Sequence, residues 1–387
     1  MRIAVIHPSL NMLGGAEKLC IATIKALQKA GHRVTLVTVD KTDWNAVERR
    51  YGIRCRVDEE LCLLPSKFET SSMFLRMVVT VFALCAESIL FGLKRNHELV
   101  LNMSGDTVCL AEDVAYVNAI PLNAASEYPQ MLPKRSLWWR FGGKGYGLLL
   151  AVQNRLNRKR ILLTNSSFNA TVVKRYLGHS AIVVYPPVNV ATLELQPKPV
   201  KKENLVVSVS RFRLGKNLQW IPKTAKRVRN AKFLIVGSLD KASTVALEEL
   251  NRLTRELHVD DRVRLLFDRP FSELIEILQK AKILLHTQQT EAFGMSVVEA
   301  MAAGCVPVVP RDGGPWFDIL EEKQGEYGYS YQSAEEAADI IEMLLRDEGL
   351  RREVSARAVR RAMVFDSSLF EKRIVDLVEK VYRRKFG

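Results

Sequence analysis

Two carboxylates, Glu291 and Glu299, stand with seven residues between them in the run from His286 to Gly304. Residues 283–285 are a short apolar run of the buried-strand type, Phe293-Gly294 marks a turn, and 296–303 is a small-residue helical run closed by Gly304. The pattern predicts strand, loop and helix, with one acid ahead of the helix and the other inside its first turns. A helix start presents unpaired N–H groups and a positive dipole potential, which suit a phosphate. An ionised carboxylate only accepts hydrogen bonds, so Glu299 can take both hydroxyl hydrogens of a vicinal diol such as a ribose. One strand-to-helix junction can thus hold diphosphate, ribose and sugar. A local alternative stays open: Ser296 and Glu299 have the Ser-x-x-Glu spacing of a capping box, and Glu291 alone suits a solvated loop.

The elements that would bring partners to these acids are also legible. Arg211 and Lys216 follow the apolar run 205–210, where a guanidinium fork and an ammonium can both reach a diphosphate; alone they would read as a basic surface loop. Near the start, a strand at 3–6, a loop at 8–15 and an amphipathic helix at 16–30 form the opening of a doubly wound unit. Gly14-Gly15 precedes that helix, where missing side chains let amides approach a phosphate. A nicotinamide-binding fold would need G-x-G-x-x-G in a tight first turn. This longer loop lacks it, so Asp40 at the end of the next strand carries little weight for a dinucleotide. Asp106 and Asn118 fall at the ends of strands expected at 99–103 and 115–117, where open α/β sheets bind ligands, and are acceptor-side candidates. The apolar run 161–165 is a further strand of the first unit, and runs at 232–237, 263–267, 283–287 and 306–310 alternate with helical stretches and predict a second parallel sheet.

The string Glu291, Phe293-Gly294, Glu299-Ala300-Met301-Ala302-Ala303-Gly304 resembles the signature of retaining family-4 glycosyltransferases. Ser210-Arg211-Phe212 with Lys216-Asn217 is similar to their diphosphate site. Gly313-Gly314-Pro315 resembles a turn of the subgroup that builds lipid-linked oligosaccharides. Asn165-Ser166-Ser167-Phe168 and Tyr185-Pro186-Pro187-Val188 resemble the dolichol-pathway α-1,2-mannosyltransferases. The resemblance implies an α/β fold of the GT-B type: two facing Rossmann-like domains with parallel sheets and a cleft between them. Residues 1–190 would form the acceptor-side domain and 191–387 the nucleotide-sugar domain, with the last helix, about 367–386, packing back on the first.

It also implies roles. Glu291 would lie against the donor sugar and Glu299 on the ribose. Arg211 and Lys216 would stabilise the diphosphate leaving group, making Glu291, Arg211 and Lys216 the expected catalytic set. Phe293, Gly294, Met295 and Ser296 would line the donor, Arg269-Pro270 would meet the nucleobase, and Gly14-Gly15 would cover the diphosphate. The implied reaction is α-linked transfer with retention, from GDP-mannose to a lipid-linked saccharide. No cofactor and no metal is expected, since no Asp-x-Asp triplet occurs. A soluble enzyme using a UDP-sugar and a catalytically silent nucleotide-binding relative are the alternatives. One departure stands out: Tyr116-Val117-Asn118 carries an amide where the subgroup has a histidine, and an amide hydrogen-bonds a sugar without titrating.

Composition bounds the rest. A chain of 387 residues is too long for one ordinary core and predicts two domains. Six cysteines without CxxC or metal-like spacing read as reduced core residues of a cytosolic protein. Residues 73–93 are apolar, but Arg76 and Glu87 interrupt them, which predicts a buried or surface-dipping helix rather than a spanning one. The net charge is +14, and residues 134–160 carry eight basic side chains and no acid, interleaved with Trp138, Trp139, Phe141 and Tyr146. Rings among cations suit an anionic membrane surface, so the expected location is cytoplasmic and peripheral on a membrane. A solvated basic face is the alternative; nucleic acid ranks lower, since no recognisable binding module accompanies the segment.

Overall fold

Apolar runs in this chain assemble into two separate sheets, each entirely parallel. The first holds β1 (Arg2–Ile6), β2 (Arg33–Asp40), β3 (Glu59–Leu64), β4 (Leu99–Asn102), β5 (Val114–Val117), β6 (Ile161–Thr164) and β7 (Ala181–Val183) in the order β3-β2-β1-β4-β5-β6-β7. The second holds β8 (Glu203–Val209), β9 (Lys232–Gly237), β10 (Val263–Phe267), β11 (Ala281–Leu285), β12 (Val306–Pro310) and β13 (Tyr329–Tyr331) in the order β10-β9-β8-β11-β12-β13. Parallel neighbours need crossover helices, which cover both faces and demand continuous apolar strands; β12, buried at every position, is the clearest case. The structure is a computed structural model and describes residues 1–65, 73–105, 109, 111–119, 152–153, 155–194, 201–239 and 243–387. Asp106, Lys134, Arg135, Arg140, Lys144 and the four aromatic residues among them lie outside the described residues.

The chain divides into one unit of Met1–Pro187 with Ser368–Gly387, and a second of Val188–Ser367. The terminal helix Ser367–Phe386 carries Phe370, Ile374, Val378 and Val381 at helical spacing, and these are buried with Leu19, Ile24 and Leu99 in the core of the first unit. Lys29 pairs with Glu371 at 3.3 Å and Lys385 with Asp113 at 2.9 Å, tying both ends of that helix to the first unit. Core packing in the second unit joins Val206, Phe233, Ile283 and Val308 from four adjacent strands.

Sequence periodicity placed β9, β10 and β12 residue for residue, but not the helix Trp44–Tyr51 or the edge strands β3 and β13. Edge strands lose one set of neighbours and tolerate polar residues, and in β3 Glu59-Glu60 interrupts the apolar run that would have announced it. The helix after β11 starts at Met295 with Gly294 as N-cap in the left-handed region (φ 96°). Ser296 therefore lies inside the first turn, and the capping-box reading of Ser296 and Glu299 is corrected.

The apolar run 73–93 gives the helix Met73–Leu90, with Val81 and Leu84 buried and Phe82 and Leu90 exposed. Among the described residues no helix is long and apolar enough to cross a membrane. Within the basic segment, Arg155, Arg158 and Lys159 are exposed. Arg160 is not: it is paired with the buried Glu112, whose carboxylate also accepts from Asn102 at 2.9 Å and Gln153 at 2.8 Å. That cation is a structural counter-ion rather than part of a basic face.

Candidate functional site

In both sheets the strand order reverses beside the first strand, between β1 and β4 and between β8 and β11. Loops leaving the carboxyl ends on either side of such a switch point diverge and open a crevice, the usual ligand site of open α/β sheets. In the second unit those two loops carry Arg211 with Lys216 and His286 with Glu291.

The loop after β8 is fastened on three sides. Ser210 N–H donates to Val236 O, and Gly237 has no side chain because a Cβ there would fall 1.7 Å from Ser210 O. Phe212 is fully buried against Phe267, ring centroids 5.1 Å apart. The 3-10 turn Leu214–Lys216 is held to the end of β11 by Thr287 Oγ1, which donates to Lys216 O at 2.7 Å. These ties aim Lys216 at the neighbouring loop, where Nζ donates to Glu291 Oε2 at 3.2 Å and to Gln288 Oε1. Arg211 is half-buried, and its guanidinium has no hydrogen-bond or ion-pair partner among the described residues.

Glu291 is held by the glycine turn after β12. Gly314 N–H donates to Glu291 O at 2.8 Å, and Asp312 Oδ2 accepts from Thr290 N–H at 2.9 Å. A Cβ on Gly313 would meet Glu291 O at 2.6 Å, and one on Gly314 would meet Ala292 O at 2.4 Å. Gly313-Gly314 is thus the close backbone approach that fixes the acid loop. Phe293, expected to line the donor, is buried and packs edge-on against Phe365 at 5.4 Å, a contact that anchors the loop. Met295 and Ser296 are half-buried, and no side chain caps the helix start they form. Glu299 is buried in the same helix at 8% exposure.

Electrostatics reinforce the geometry. Burial alone would raise the Glu291 carboxyl; the Lys216 ammonium, with Arg211 behind it, outweighs this and holds it below the usual carboxylate range. His286, not singled out from the sequence, stands with Nε2 4.0 Å from Glu291 Oε2, and burial pushes its imidazole down to about 4. Gln288, Thr287 and Asp312 were missed as well. Each sits one to four residues from a residue that the sequence singles out, but their roles depend on contacts across the sheet.

The remaining candidates belong to other loops. Gly14, in the first unit, has its N–H taken by Glu17 Oε2 at 2.7 Å and its carbonyl by Tyr51 Oη at 2.6 Å, so the expected open amide is occupied. Asn118 donates to Met103 O at 3.0 Å and accepts on its carbonyl from Asn165, bracing three strand ends. Arg269 and Pro270 follow β10 at the far edge of the second sheet, where Arg269 pairs with Glu273 at 3.5 Å. Among the described residues no group of three or more His, Cys, Asp or Glu side chains could hold a metal ion.

The fold is similar to that of sucrose-phosphate synthase from Thermosynechococcus elongatus, with a TM-score of 0.74 over 99% of this chain and 100% of the other at 17% identity, a pair of Rossmann-like domains of the GT-B type. In sequence the chain is 31% identical to the human GDP-Man:Man(3)GlcNAc(2)-PP-Dol alpha-1,2-mannosyltransferase, over 99% of this chain and 87% of that protein. It is 28% identical to the enzyme of the same name from Neurospora crassa, over 64% of this chain and 49% of the other. Residues 192–361, which contain the whole constellation around Lys216 and Glu291, match the family described as glycosyl transferases group 1. By this match and by its identity to the human enzyme across nearly its whole length, the chain belongs to the group 1 glycosyl transferases.

Proposed function

We propose that this glycosyltransferase moves mannose from GDP-mannose to a hydroxyl of a lipid-linked saccharide, with retention at the anomeric carbon. The observation that carries the donor chemistry is the convergence of Lys216, Glu291 and Arg211 at the β8/β11 switch point. The choice of GDP-mannose and of a lipid-linked acceptor rests on the name of the human relative. A departing nucleoside diphosphate accumulates negative charge, and preorganised cations lower the barrier to its departure. Arg211 supplies a guanidinium with no partner among the described residues, and Lys216 an ammonium already aimed at the junction. The uncapped start of the helix Met295–Ala302 adds backbone N–H groups of the kind that bind phosphate.

In this reading Glu291 meets the sugar, Glu299 accepts from the ribose hydroxyls, and Arg269-Pro270 stands toward the nucleobase. Two cations and a helix start neutralise the leaving group, so the chemistry calls for no metal or cofactor. In the first unit, Asn118 offers an acceptor an amide rather than a titrating group. Exposed Arg155, Arg158 and Lys159, with exposed Phe82 and Leu156 in the same unit, support docking on the anionic, cytoplasmic face of a membrane.

The test is incubation with labelled GDP-mannose or UDP-glucose and a lipid-linked saccharide. Label should reach the lipid fraction from GDP-mannose alone, and Glu291→Ala should abolish it. Transfer from UDP-glucose in preference would overturn the donor assignment.

A further inference from the structure

His286 Nε2 is buried and has no hydrogen-bond partner among the described residues. Buried polar atoms are nearly always paired, so an unpaired one beside a reactive carboxylate calls for a physical reason. The histidine backbone is fixed, because its N–H donates to Val308 O at 2.9 Å and its carbonyl accepts from Tyr331 Oη at 2.6 Å. Nε2 lies 4.0 Å from Glu291 Oε2, beyond hydrogen-bond range, yet a modest turn of the glutamate side chain would close the gap. At present that carboxylate is drawn the other way, to Lys216.

A diphosphate at the proposed donor site competes with Glu291 for the same ammonium. We propose that His286 is a positioning residue: as Lys216 turns to the diphosphate, His286 Nε2–H donates to Glu291 Oε2 and holds that carboxylate against the sugar. This rests on the donor site described under the proposed function. The charged groups facing the ring are Glu291 and Lys216, while β12 and β13 contribute the Val308 backbone and the Tyr331 hydroxyl. Burial, opposed by Glu291 and aided by Lys216, holds the imidazole down at about 4, so near pH 7 it is a neutral donor. Being uncharged, it fixes the carboxylate without competing with Lys216 for the diphosphate.

The test compares wild type, His286→Leu and His286→Gln, measuring GDP affinity and mannose transfer separately. Leucine fills the volume without a donor, whereas glutamine returns an N–H near the position of Nε2. His286→Leu should lower kcat about 10- to 100-fold, the scale set by misplacing a reacting group. Its GDP affinity should fall less, by about tenfold at most, the scale of the one hydrogen bond gained when the diphosphate draws Lys216 away. His286→Gln should recover most of the lost kcat. Unchanged kcat in His286→Leu, or equal loss in both variants with GDP affinity kept, overturns the proposal alone. A wild-type chain that does not bind GDP overturns the donor site and this proposal with it. Should His286→Leu not fold, His286→Asn, whose amide stops short of Glu291, takes its place with the same expectations.

Discussion

Lys216 Nζ stands 3.2 Å from Glu291 Oε2 although 75 positions separate the two residues in the chain. Strand order brings them together: β8 and β11 are neighbours, with Val206 opposite Ile283, so the loops that follow leave the sheet side by side. Lys216→Ala should therefore remove a donor-site cation while leaving the sheet intact. The expected loss in kcat/KM is about 100- to 1000-fold, the scale for removing a preorganised charge-stabilising group. Stabilisation by GDP in thermal melts should fall with it. An alanine variant that is stabilised by GDP as wild type is would separate Lys216 from the diphosphate.

Acid should destabilise this site in two steps. A histidine whose folded value lies at about 4, against 6.5 when unfolded, makes the unfolded chain bind more protons in that window. Stability is therefore complete above 6.5 and falls as pH drops toward 4, by about 3 kcal/mol at most. Glu291 acts lower: its folded value is depressed, so its contribution is present above the unfolded carboxylate value and lost as pH falls through the folded one. Urea unfolding at pH 7 and pH 4.5 should show a smaller difference for His286→Gln than for wild type. Equal differences would mean that His286 does not carry the acid sensitivity.

Gly313 holds Glu291 by backbone contact and has φ of +72°, so both conformation and space exclude a side chain. Gly313→Ala should cost about 1–3 kcal/mol in stability through strain. Activity should fall further than stability, because the displaced atoms are Glu291 N and O. The check is kcat measured well below the melting temperature, where near-wild-type turnover would contradict the positioning role.

Arg160 and Glu112 form a buried pair, with side-chain exposures of 7% and 0%. Arg160→Ala leaves a buried carboxylate without its counter-ion and should destabilise the chain by about 3–5 kcal/mol. Replacing exposed Arg155, Arg158 and Lys159 together should hardly change the melt but weaken binding to anionic vesicles, at roughly 1 kcal/mol per charge. Vesicle binding that is indifferent to all three would remove these residues from any membrane surface.

What could be read in advance was whatever local pattern controls. Buried parallel strands write themselves as apolar runs, and the helix Ala334–Arg346 coincides with its amphipathic stretch. Glu291, Arg211 and Lys216 were noticed because their types suit a diphosphate sugar and their string resembles a family signature. The reach of Lys216 to Glu291, the grip of Gly313-Gly314 on the acid loop and the approach of His286 depend on strand order, which no local window encodes. Arg160 was misread for the same reason, since its partner Glu112 lies 48 positions away. At Ser296 the spacing of a capping box was present, but the chain enters the helix through Gly294.

If the proposed donor chemistry holds, the loops after β8 and β11 form one site for an activated sugar. Calorimetric titration of GDP-mannose into wild type, Lys216→Ala and Arg211→Ala tests it most directly. GDP-mannose should bind wild type saturably and each variant at least about tenfold more weakly, the scale of a lost charge-assisted contact. Equal affinity in all three would contradict it.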